Sequence, residues 1–341
     1  MEDKAAKTPT LRDIAHHANV SVATVSRALN NKNVDENTRL LVHRAAEALN
    51  YPLENLRTQD NRKTIVIASR GDFSELPPGM TTGVDFDELV TRGVWSVLEP
   101  DNIRLMVEYT SMRREDSADF CRDFAGDGLI IMGGILDEDF ILALQKAGIP
   151  FVIAGSHALP IQTNCVVADN MRGAEMAVHH LVERGRTKIG LVNSSTKTRT
   201  SDERLRGIRL GLQVHGLSFV PEHISASTEF DLDAGYHQTL QLLARTSTLD
   251  AIIYGHDLMA VGGIRALKDR GYHVPDDMAV VGFNNYSISQ YTDPPLTTIG
   301  FDKQLMGKKA AQLLTSLVDT QAHDDTWHVL MPTELIVRSS T

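Results

Sequence analysis

Cysteine is scarce: Cys121 and Cys165 are the two thiols in 341 residues, too few for a disulfide framework, and both read as buried free thiols of a reducing compartment. No apolar run approaches the roughly 18 residues needed to span a bilayer. The opening MEDKAAKTPT also lacks the basic-then-apolar layout of a secretory signal, so a cytoplasmic protein with no membrane partner is expected. Positive charge is short as well, 34 Lys and Arg against 44 Asp and Glu, a net of -10. A body this acidic does not attract nucleic acid by its net charge. Complete catalytic sets are missing too. SSTK at 194–197 has the Ser-x-x-Lys spacing of acyl-transfer enzymes but no accompanying Ser-Asp-Asn. HHLVE at 179–183 puts its two histidines on different helix faces with no cysteine cluster beside them, and neither GxxxxGK[ST] nor a full GxGxxG opens a helix. No enzyme, metal site or cofactor is expected.

What charge of the other sign exists is concentrated at one end. Residues 1–64 hold 10 basic against 8 acidic side chains, whereas the remainder holds 24 against 36. Within the basic stretch, residues 13–30 read DIAHHANVSVATVSRALN. Ile14, Ala15, Ala18, Val20, Val25 and Leu29 fall at helical spacing, interrupted once around Asn19 and Ser21. Two short helices with a tight corner are predicted, Ser21 capping the second over 22–29. Asp35 caps a third, whose stripe of Leu41, Val42, Ala45, Ala46 and Leu49 completes a small core. Residues 8–51 therefore form a helix-turn-helix unit behind a disordered tip at 1–7, with Arg12, Arg27, Arg39 and Arg44 setting its basic face.

From residue 64 the rhythm changes. TIVIAS, RLMVEY, GLIIMG, PFVIAG, CVVAD, KIGLV, AIIYG and MAVVGF read as strands buried on both faces, with helical stretches between them near 86–99, 113–124, 137–148, 171–184, 202–216, 232–245, 257–271 and 302–319. This is a doubly wound α/β body, 64–341, whose strands divide into two sheets around VVADN at 166–170. Ligands of such sheets sit beyond the carboxyl ends of the strands. Those ends supply Ser69, Arg70, Gly133, Gly134, Gly155 and Asp169 from the first half. The second half supplies Asn193 to Ser195, His256, Asp257 and Asn284, mostly small or polar groups suited to a hydroxyl-rich molecule.

TLRDIAHHANVSVATVSRALN followed by VDENTRLLVHRAAEALNY closely resembles the headpiece of the lactose/galactose repressor family of bacterial transcription regulators, and the likeness runs on through the chain. The resemblance implies a sequence-specific DNA-binding repressor with a two-lobed, periplasmic-binding-protein-like core, three crossovers at its hinge and a small effector in the cleft. By family position Val22, Ala23 and Arg27 reach base edges, Arg27 toward guanine, while Ser21, Thr24 and Asn30 hold phosphates or caps. Arg204, three residues before Gly207, resembles the arginine that holds effector hydroxyls.

Residues 52–63 stand where the family has a hinge, with Leu56 as the candidate minor-groove wedge in a segment about one turn shorter than usual. A pseudo-palindromic operator on double-stranded DNA requires a homodimer, and nothing after LMPTELIVRSST carries the heptads that would join dimers into tetramers. Localisation at the nucleoid follows from the DNA partner. Two departures stand out: YGHDLMAVGG and VGFNNYS place His256 and Asn284 where relatives carry an amide and a carboxylate. The effector is thus a carbohydrate of unusual kind, a charged derivative, or not a sugar. The alternative to an inducible repressor is a co-repressor- or partner-dependent regulator that binds DNA more tightly when liganded.

Overall fold

The computed structural model describes residues 9–29, 34–49, 51, 62–70, 84–134, 136–157, 160–194, 198–320 and 325–341. The chain divides into two compact units, Met1–Arg62 and Lys63–Thr341.

Among its described residues the first unit contains three helices, α1 (Leu11–His17), α2 (Val22–Leu29) and α3 (Glu36–Ala48). Each start has its cap. The Thr10 backbone N–H donates to Asp13 Oδ2 at 2.7 Å, the Thr24 N–H to Ser21 Oγ at 3.0 Å, and the Thr38 N–H to Asp35 Oδ1 at 3.0 Å. Asn19 takes φ 51° at the corner between α1 and α2, a left-handed conformation that its short amide tolerates. Ile14, Val25 and Val42, all fully buried and one from each helix, meet at the centre of this small core.

Among its described residues the second unit holds two six-stranded sheets. In the first lobe β1 (Thr64–Arg70), α4 (Val84–Leu98), β2 (Arg104–Thr110), α5 (Arg114–Asp123), β3 (Gly128–Met132), α6 (Glu138–Lys146), β4 (Phe151–Ala154) and β5 (Cys165–Ala168) follow in order. The second lobe runs α7 (Asn170–Glu183), β6 (Ile189–Ser194), α8 (Arg199–Val214), β7 (Ile224–Ser227), α9 (Leu232–Arg245), β8 (Ala251–Tyr254), α10 (Asp257–Asp269), β9 (Ala279–Phe283) and β10 (Thr297–Gly300). Then α11 (Lys303–Thr320) and β11 (His328–Met331) return to the first lobe, and β12 (Glu334–Ile336) closes the second. The sheet orders are β11-β5-β4-β3-β1-β2 and β12-β10-β9-β8-β6-β7, parallel throughout except where β12 runs against β10.

Helices cover both faces of each sheet, α4 and α11 opposite α5 and α6, and α7 and α8 opposite α9 and α10. That is why the central strands are apolar without alternation. The chain crosses between lobes three times, at Asp169, at Phe301–Asp302 and at Pro332–Thr333. Two of these crossings run side by side: the Asp169 N–H donates to the Met331 carbonyl at 2.9 Å, and Thr333 Oγ1 to the Asp169 carbonyl at 3.3 Å.

The eight apolar runs are all strands, and β7, β10, β11 and β12 are additional. Three of these four lie at sheet edges, half exposed, where no apolar run is required. The fourth, β10, is buried but Thr-rich. Its hydroxyls are satisfied internally, Thr298 Oγ1 donating to Asp257 Oδ1 at 2.6 Å, so a polar sequence sits in a core position.

Candidate functional site

On the first unit, α2 turns Val25, Ala28 and Leu29 inward and leaves Val22 42% exposed. Ser21 and Thr24 are tied together, Oγ to Oγ1 at 2.8 Å, at the start of the helix. Ala23 and Arg27 lie on α2, but their side chains are outside the described residues, as are Asn30 and Leu56 altogether. Arg12 and Arg44 are exposed, whereas Arg39 is half-buried and donates to the Val34 carbonyl at 3.4 Å. The arrangement is a helix start with small polar side chains and an exposed apolar residue, on a unit that also exposes Arg12 and Arg44, which suits a major-groove reader.

In the second unit the strand ends of the two lobes form a cleft with unlike walls. On the first lobe the Ser69 hydroxyl, at the end of β1, donates to Asp87 Oδ2 in the first turn of α4 at 2.6 Å. Burial pushes the Asp87 carboxyl up, and the Ser69 bond only partly offsets this. Gly134 takes φ 137° and accepts at its carbonyl from Ser156 Oγ at 3.4 Å. Gly155 takes φ 90°, and Phe86 packs against the space a β-carbon would need. Arg70 ends β1, with its side chain outside the described residues.

The second-lobe wall is built on Arg204 of α8. Its guanidinium stacks 4.0 Å over the Phe283 ring, and Nε and Nη2 donate to Asn170 Oδ1 and Asn284 Oδ1, each at 3.1 Å. Nη1 donates to the Gly255 carbonyl. Burial pulls its pKa down to about 10, against the charges of Asp257 and Glu203 nearby, so it remains a cation. A guanidinium has five N–H donors, and three of them are used in these bonds among the described residues.

Asn284 takes φ 99°, which turns its carbonyl toward the buried ammonium of Lys303. His256 caps α10, its Nδ1 accepting from the Leu258 N–H at 3.3 Å, and its ring meets Tyr286 edge-on at 4.9 Å. Burial and the neighbouring Arg204 and Lys303 charges push His256 down to about 3, so it is neutral. Asp257 beneath it accepts from Thr298 Oγ1 and from the Tyr286 N–H, each at 2.6 Å. Burial still pushes it up to about 7.

The two walls meet around Tyr286, whose phenol is pushed up by burial and then by Asp257, Asp87 and Asp85, against Arg204. A direct bond joins them where the Ser287 N–H donates to Asp85 Oδ2. The structure thus brings Ser69, Arg204, His256 and Asn284 into one neighbourhood. Asn193 and Ser194 it assigns elsewhere. Asn193 Nδ2 donates to the Ser201 carbonyl at 2.9 Å and Ser194 Oγ bonds Ser201 Oγ, so both secure the first turn of α8; Asp169 caps α7. Reasoning from the sequence missed Asp87, Asn170, Tyr286 and Lys303. Asp87 and Lys303 lie on helices rather than at strand ends, and nothing local in their surroundings marks them.

Comparison with known proteins agrees with this geometry. Residues 10–52 match the model for bacterial regulatory proteins of the lacI family, and residues 178–341 match a periplasmic-binding-protein-like domain. The HTH-type transcriptional repressor CytR of Escherichia coli (strain K12) is 31% identical, over 97% of this chain and 96% of its own. Among solved structures, a transcriptional regulator CelR in complex with cellobiose superposes with TM-score 0.73 at 26% identity, covering 98% of this chain and 100% of its own. A lac repressor dimer bound to operator and the anti-inducer ONPF shares the fold, with TM-score 0.69 at 24% identity over 98% and 99% of the two chains. A helix-turn-helix headpiece and a two-lobed body with a polar cleft, matched by relatives along almost their whole length, show that this chain belongs to the lacI family of bacterial regulatory proteins.

Proposed function

We propose that the protein is a homodimeric repressor of the cytoplasm, released from a pseudo-palindromic operator by a polyhydroxylated small molecule that bridges the two walls of the cleft. One observation carries this reading: Asp87 and Arg204 lie on opposite lobes around Tyr286, a hydrogen-bond acceptor on one side and a guanidinium donor on the other. A hydroxyl group is both donor and acceptor, so a ring bearing several can satisfy both walls at once. Asn284 sharpens the choice. A carboxylate at this position would neutralise Arg204, whereas the amide leaves its charge available and favours an effector rich in acceptors, such as an acidic or phosphorylated sugar. CelR binds cellobiose in the same architecture. No cofactor enters this scheme.

The test is a panel of neutral sugars, sugar acids, sugar phosphates and nucleosides, scored by thermal shift and then by operator release. An effector at about 100 times its dissociation constant stabilises the protein by about 2.7 kcal/mol. For a body of this size the midpoint rises by about 5 to 10 °C. Arg204→Ala should lose that rise, measured against its own unliganded midpoint, while operator affinity stays within about twofold. A normal shift in Arg204→Ala would make the arginine a packing residue only. An effector that tightens operator binding would assign the co-repressor mode instead.

A further inference from the structure

Behind the cleft, at the edge of the first sheet, three side chains with metal-ligating atoms converge. Cys165 opens β5 and His328 opens β11, and the parallel register pairs the two residues directly, so their side chains leave the sheet on the same face. His157, three residues beyond β4, folds over them: its Nδ1 lies 3.4 Å from Cys165 Sγ, and its ring centroid lies 5.4 Å from that of His328. One donor atom from each residue falls within 4.8 Å of the other two. We propose that Cys165 Sγ, His157 Nδ1 and a ring nitrogen of His328 bind a divalent cation of the zinc class, with water completing a tetrahedron on the exposed side of His328.

The spacing suits that ion. Bonds of about 2.3 Å to sulfur and about 2.0 Å to nitrogen in a tetrahedron separate the ligand atoms by roughly 3.5 Å. The Cys165–His157 distance is already there, and the exposed His328 side chain needs to move by only about 1 Å. One thiolate with two imidazoles is a donor set for zinc or its neighbours, not for magnesium or calcium. Thiolate is the ligating form of cysteine, so the cation binds by displacing the Cys165 proton.

A second layer of contacts supports the assignment. With Nδ1 on the metal, the proton of His157 must sit on Nε2, and that atom faces Glu203 Oε1 at 3.3 Å. His157 Nε2 is buried and makes no well-aligned hydrogen bond among the described residues. A carboxylate behind a ligating histidine fixes its tautomer and orientation. Here it also joins lobes, because His157 belongs to the first and Glu203 to the second. Glu203 Oε2 accepts from Asn170 Nδ2 at 3.1 Å, and Asn170 Oδ1 accepts from Arg204 at 3.1 Å. If the cleft holds the effector as proposed above, the cation braces the join beside it.

The site is tested independently of any effector, on full-length protein freed of metal by a chelator and titrated with Co²⁺. One equivalent should bind, with the intense visible bands of tetrahedral cobalt and a thiolate-to-cobalt charge-transfer band in the near ultraviolet. Cys121→Ser should keep both and Cys165→Ser should lose the charge-transfer band. His328→Ala, an exposed change that leaves folding intact, should weaken binding at least tenfold, and Glu203→Gln by about 10- to 100-fold. A charge-transfer band that survives Cys165→Ser, or unchanged affinity in His328→Ala, would overturn the site. So would weak octahedral spectra that vanish in His179→Ala, which would place the ion at the exposed pair of His179 and His215, 3.1 Å apart.

Discussion

At the scale of single residues, two neighbours in the second lobe set opposing pH dependences. Asp257 sits at about 7 in the folded protein against an ordinary 3.8, so its contribution to stability is full below about pH 3.8 and lost as pH rises to about 7. His256 sits at about 3 against an ordinary 6.5, so its contribution is full above about pH 6.5 and lost as pH falls toward 3. Between those limits the two largely offset each other. Asp257→Asn should therefore expose an acid lability on the order of a few kcal/mol below pH 6.5, while His256→Asn should make the protein more stable as pH falls from 7 to 4. Denaturant titrations across that range check both, and parallel profiles for the two variants would contradict the assignment. In the reader, Arg27→Ala should weaken a cognate operator by about 1 to 3 kcal/mol and relax one base position. A binding titration with base substitutions decides it, and unchanged affinity removes Arg27 from base recognition.

At the scale of elements, the cleft depends on how closely α7 and α8 approach. A β-carbon on Gly207 would lie 2.2 Å from the Met171 carbonyl oxygen, so only glycine lets α8 lie against the first turn of α7. That contact sets Arg204 against Asn170. Gly207→Ala should force the helices apart at a cost of about 1 to 3 kcal/mol, and the strain should appear in effector affinity as well. The expected fall in the unfolding midpoint is about 2 to 4 °C per kcal/mol, read by calorimetry. An unchanged midpoint would mean that the pair slides without loss.

At the scale of the whole molecule, the function turns on linkage. If effector and operator each favour a different arrangement of the two lobes, each must lower the affinity of the other by the same factor. Two headpieces are needed to read a palindrome, so light scattering should return about twice the 37.6 kDa chain mass at micromolar concentration. A monomer at that concentration, or a stable tetramer, would contradict the dimer. Among the described residues no helix is long and apolar enough to cross a membrane.

The sequence by itself determined what rests on short-range pattern. Helical spacing and a capping serine place α2 at Val22–Leu29, and uninterrupted apolar runs mark eight strands, because caps and buried β-structure leave local signatures. The strand-end rule also singled out Ser69, His256 and Asn284, which the fold brings into one neighbourhood. Only the tertiary structure decided which of those ends share a cleft. Asn193 and Ser194 end a strand as Ser69 does, yet they are spent on holding α8. Asp87 and Lys303 come from helices more than 200 residues apart, and Cys165 meets His328 because β11 returns to pair with β5. Contacts of that range leave no period or motif in the chain, because they are set by sheet order and crossovers, which local propensity does not encode.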